Sequence, residues 1–79
     1  MIAYITGNII DLTPNDLTVL TSGGIGYEIG IHEGIFTQLA THQTVELYIY
    51  HHITDNNQSL FCFLDAGEKK VFKELLKIS

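Results

Sequence analysis

Five stretches of this chain are rich in apolar, β-branched or aromatic residues, three of them alternating with polar ones, and each predicts a strand. Residues 2–10 are mostly β-branched or aromatic and are interrupted by Gly7 and Asn8, which predicts a first strand with a bulge at Gly7. Residues 11–16 supply a turn, with Pro14 fixing φ and Asn15 and Asp16 suited to turn positions. Residues 17–21 form the second strand. A glycine cluster, Ser22-Gly23-Gly24-Ile25-Gly26, joins it to a third at 27–31, where Tyr27, Ile29 and Ile31 share one face. Gly23, Gly24 and Gly26 are the candidate structural-turn residues, because glycine reaches positive φ without a Cβ clash.

The period changes over residues 32–40, where Ile35, Phe36 and Leu39 suit a short helical turn. Residues 44–53 are the longest strand-like run, with Val45, Leu47 and Ile49 on one face and Glu46, Tyr48 and Tyr50 on the other. Asp55-Asn56-Asn57-Gln58 reads as a polar tip, and residues 59–64 return as strand five. Asp65 is placed to cap a helix, with Glu68 three positions on to complete a capping box. In that helix Val71, Phe72, Leu75, Leu76 and Ile78 make an apolar stripe, so it packs either on the barrel end or on a neighbouring domain. The expected organisation is a barrel over 1–64 and a C-terminal amphipathic helix over 65–79. A small barrel of the OB type fits the five runs, and an SH3-like barrel fits them too.

A chain of 79 residues is one small domain, near the lower limit for an adequate core without disulfides, metal or self-association. Its single cysteine, Cys62, rules out an intrachain disulfide and reads as intracellular. With no basic region at the start and no apolar run of membrane-spanning length, a soluble cytoplasmic protein is expected, with no membrane partner. The net charge of −5 hides a segregation. There is no arginine, and Lys69, Lys70, Lys73 and Lys77 all lie near the C-terminus. Residues 1–64 hold Asp11, Asp16, Glu28, Glu33, Glu46 and Asp55 with no basic residue, and such a barrel repels phosphate.

The candidate chemistry is sparse. The glycine cluster lacks the Gly-Lys-Ser/Thr ending of a phosphate loop and precedes a strand, so a turn outweighs nucleotide binding and no cofactor is expected. His51 and His52 are adjacent on a strand and point to opposite faces, and His32, His42 and Cys62 add no metal-ligand spacing. No catalytic residue is assigned, because no local signature activates Cys62 or a serine. Tyr48 and Tyr50 are suited to stacking bases, but the strand lacks the accompanying positive charge, which favours packing or interface roles. The mixed charges of the last helix read as a solvated face rather than a phosphate site.

Met1-Ile2 with Gly7, the hexapeptide Gly23-Gly24-Ile25-Gly26-Tyr27-Glu28, the strand Leu60-Phe61-Cys62-Phe63-Leu64, and Glu68 followed by Phe72-Lys73-Glu74-Leu75-Leu76-Lys77 together resemble the N-terminal domain of the RuvA family. The resemblance spans the chain. It implies an OB-fold that assembles as a four-fold platform on a four-way (Holliday) DNA junction and works with the RuvB ATPase in branch migration, itself non-catalytic. In that family the loop between strands four and five carries an acidic pin of two carboxylates at the junction centre. The matching tip here is Asp55-Asn56, which retains one of the two charges. Tyr4 and Thr6 stand where the family has basic residues, and Cys62 where it has glycine. The resemblance places the helix-hairpin-helix repeats that grip DNA, and the domain that contacts RuvB, beyond Ser79. The strand faces bearing Tyr48, Tyr50 and Ile53 are the expected contributors to the subunit interface of a homotetramer. A free-standing small-barrel adaptor for protein or single-stranded nucleic acid is the alternative.

Overall fold

A computed structural model describes residues 1–78; Ser79, the last residue of the expected helix, and the side chain of Ile78 lie outside what is described. The strands are β1 (Tyr4–Leu12), β2 (Asp16–Leu20), β3 (Gly26–Gly30), β4 (Thr44–Thr54) and β5 (Asn57–Phe63), with helices α1 (Glu33–Phe36) and α2 (Ala66–Ile78). They close a barrel in the order β1-β2-β3-β5-β4. Neighbours are antiparallel except β3 and β5, which run parallel where Gly30 meets Phe61. That parallel closure decides between the two small barrels the periodicity left open, and the fold is an OB-fold.

Alternation accounts for the core. Ile9, Leu17, Val19, Ile29, Leu47 and Ile49 point inward with no accessible surface. α1 adds Ile35, 1 % exposed, to the same cluster. No polar or charged side chain is buried with them among the described residues. Cys62 joins this interior, and burial, with the Glu68 charge adding, pushes its thiol up to about 12.

The glycine cluster forms the β2–β3 connection. Thr21 N–H donates to the Ile25 carbonyl at 2.9 Å and Gly24 N–H to the Thr21 carbonyl at 3.0 Å. Gly24 takes φ of 86°, a conformation costly for other residues.

The first strand differs from expectation in two ways. It runs on to Leu12, leaving residues 13–15 as the turn, and its irregularity falls between Ile9 and Asp11 rather than at Gly7. Gly7 is regularly paired with Val45. Its role is close approach: a Cβ there would collide with the Leu20 carbonyl oxygen and lie 2.9 Å from Cγ1 of Val19.

Two outcomes are expected. Gly7→Ala should lower unfolding stability by about 1–3 kcal/mol, because backbone cannot yield as a side chain does; a urea midpoint unchanged from wild type would contradict the close approach. Cys62 should resist thiol reagents such as iodoacetamide at neutral pH in the folded chain and react fully in guanidinium, as mass spectrometry would read.

Candidate nucleic-acid interface

The longest strand pair sets the site. β4 and β5 pair continuously from Tyr48 with Phe63 to Thr54 with Asn57, so the turn is Asp55-Asn56 alone. The expected tip was wider; Asn57 and Gln58, though polar, belong to β5 because both faces of the distal hairpin meet solvent. β1 accompanies β4 only to Tyr48, and β3 meets β5 only at Phe61. Beyond His51 the hairpin therefore has no strand but its own partner, and residues 52–58 are exposed. Thr54 Oγ1 donates to the Asn57 carbonyl at 3.2 Å, and the Gln58 N–H donates to Asn57 Oδ1 at 3.1 Å. These bonds hold the turn while the side chains of Asp55 and Asn56 face water.

The root of this hairpin is tied to the chain start. The Ile2 N–H donates to Nδ1 of His51 at 3.0 Å, which leaves the ring proton on Nε2, 3.0 Å from Oε1 of Gln58. Ile49 N–H donates to the Ala3 carbonyl at 2.9 Å. One imidazole thus joins the first residues to β4 and β5.

On the other side lies α2, whose first turn is capped by Asp65: the Glu68 N–H donates to its Oδ1 at 2.8 Å. The helix rests on the outer face of β4 and β5 rather than on the barrel end. Phe72 is the anchor, with ring centroids 5.1 Å from Phe63 and 5.3 Å from Tyr50. The rest of the stripe is less engaged than amphipathicity suggests, since Val71 and Leu75 are 59 % and 60 % exposed. Tyr50, an expected interface residue, is thus largely committed to packing within the chain. Tyr48 stacks edge-on to Tyr4 at 5.5 Å. The Tyr4 phenol lies above its ordinary range, from partial desolvation first and then the Glu46 carboxylate.

Electrostatics separates the faces. OB-folds that bind oligonucleotides use the β2–β3 face with the flanking loops. Here that face opens on a cleft of about 480 Å³ lined by Asp16, Glu28, Tyr27 and Gln58, with no lysine. Phosphate is repelled there. All fixed positive side-chain charge sits on α2, where Lys77 pairs with Glu74 at 3.5 Å, the one ion pair among the described residues. Lys69 and Lys73 lie against β4, beside Tyr50 and His52. Their i,i+4 spacing shows in the sequence that they share a helix face, but nothing local shows what that face meets. Among the described residues no three His, Cys, Asp or Glu side chains converge as a metal site.

Comparison with known proteins places the chain. Residues 1–62 match the family model described as the RuvA N terminal domain. Over its entire length the chain is 37 % identical to the Holliday junction branch migration complex subunit RuvA of Parabacteroides distasonis, covering 40 % of that protein. It is also 37 % identical to the RuvA subunit of Oceanobacillus iheyensis and 33 % identical to that of Psychrobacter arcticus, covering 39 % and 38 % of them. It therefore spans about two fifths of the length of these curated relatives. With a closed OB barrel over the matched residues and a family match across most of its length, the chain belongs to the RuvA N-terminal domain family.

Proposed function

We propose that this chain is the junction-shaping and self-assembling module of a Holliday junction-binding protein that acts in branch migration during DNA recombination and repair. The observation that carries the reading is Asp55, exposed on a two-residue turn at the end of a hairpin that leaves the barrel. Four protomers around one axis would bring four Asp55 carboxylates to a junction centre. Like charge there pushes strand phosphates apart and favours an open crossover. Asn56 contributes no charge, so the pin works with one carboxylate per protomer. Ile53, 53 % exposed beside the turn, and the Tyr4–Tyr48 edge supply apolar surface for the four-fold contact.

The module has no catalytic role of its own. ATP hydrolysis belongs to a RuvB-type partner, and the firm grip on DNA to helix-hairpin-helix repeats, both reached through regions outside this chain and both in the cytoplasm. The barrel's lack of lysine and arginine fits that division of labour, since a surface that spreads strands cannot also hold them. The half-exposed stripe of α2 suits contact with such a following domain.

Sedimentation velocity should show a tetramer that grows with concentration, and Ile53→Asp should shift it to monomer. A stable monomer with saturable affinity for a peptide or single-stranded oligonucleotide would instead favour the adaptor. With 2-aminopurine at the crossover of a synthetic four-way junction, the chain should brighten the probe at saturation, and Asp55→Asn should lose most of that gain. Affinity of this chain alone for the junction should be weaker than about micromolar; sub-micromolar binding at low salt would contradict the charge segregation.

A further inference from the structure

We infer that the groove between β4 and α2 is a contact site for the phosphodiester backbone of DNA, built from Lys69, Lys73, His52 and Tyr50. This rests on the junction-binding reading above and adds to it a surface on the domain itself that attracts DNA. The groove encloses about 350 Å³, and no carboxylate lines it. Neighbouring concave surfaces carry acid: Asp16 and Glu28 in the cleft at β2 and β3, and Glu74 in the hollow on the helix that Lys69 and Lys73 also border.

The lysines are poised for an anion. Lys69 is half-buried, and neither it nor Lys73 has a carboxylate within ion-pair distance among the described residues, since the Glu74 carboxylate is taken by Lys77. A cation partly withdrawn from water and left unpaired gains more from an incoming phosphate than an open one does. Spaced i,i+4, the two ammonium groups stand in line along the helix and can meet one sugar-phosphate run.

The opposite wall supplies the complement. The Tyr50 and His52 rings lie 6.0 Å apart, tilted by 31°, and line the same groove as the two lysines. Phe72 packs edge-on against Tyr50 at 5.3 Å and helps fix its ring. Lysines over a fixed aromatic surface are what a backbone groove needs, with affinity set by charge and no base selected. The groove lies beside the distal hairpin whose turn carries Asp55, so strands pushed from that turn have a place to settle.

The test is an amide-shift titration of the isotope-labelled chain at low salt with a linear duplex and, separately, with a four-way junction. Shifts should concentrate at Tyr50, His52, Lys69 and Lys73 on both DNAs. Lys69→Gln/Lys73→Gln should weaken both titrations by on the order of tenfold and reduce the salt slope by about 2. Lys70→Gln/Lys77→Gln, which do not line this groove, should change little. The proposal is overturned if the first pair of substitutions leaves binding intact, or if the second pair abolishes it. It is overturned equally if inorganic phosphate at matched phosphate concentration gives the same shifts, which would mark a general anion site. Because the groove reads backbone and not crossover shape, its failure shows in the duplex titration. Failure of the junction-shaping reading shows in the crossover fluorescence and leaves the duplex titration untouched.

Discussion

Barrel closure depends on one short parallel seam, where Gly30 of β3 lies beside Phe61 of β5. A Cβ on Gly30 would stand 3.0 Å from the Phe61 ring, so the smallest residue lets a large aromatic lie across the join. The seam takes up only the C-terminal part of β5. The N-terminal part, from Asn57, pairs with β4 alone and carries the hairpin outward by about 10 Å beyond His51 at ordinary strand rise. The exposed turn, the aromatic floor beneath α2 and the lysine groove all follow from where that seam stops.

The same closure explains why charge can be so unevenly placed. The interior is filled by aliphatic side chains and Cys62, and no buried polar group among the described residues needs a counter-charge. Stability of the barrel therefore makes no demand on surface charge, and its outer face is free to be wholly acidic. Cations can then be confined to α2, which the barrel holds chiefly through Phe72. One aromatic anchor on an otherwise half-exposed stripe gives a lighter attachment than the barrel's own ladders provide.

Much of this was legible in the sequence because strand alternation is a local signal. Val45, Leu47 and Ile49 turned inward as their spacing requires, and the hairpin at Gly23-Gly24 follows from glycine chemistry. What misled was also physical. Gly7 reads as a bulge because glycine weakens strands, yet it is needed where the backbone of β2 comes close, a fact held by residues far along the chain. Asn57 and Gln58 read as loop because they are polar, but a hairpin that has left its barrel has no face to keep apolar. Asp55 was visible as a lone charge in a polar tip. The groove was not, since Lys69 and Lys73 come to lie beside Tyr50 only once Phe72 sets the helix against it.

The bond from the Ile2 N–H to His51 bears on how the molecule can be handled. It fixes the opening residues along β4, and Met1, 96 % exposed, comes to rest on the rim shared with His52, Lys69 and Lys73. Any peptide fused ahead of Met1 would emerge across that rim. An acidic epitope attached there would lie close to two ammonium groups and can fold back on them, so labels for affinity work belong on the opposite end of the polypeptide.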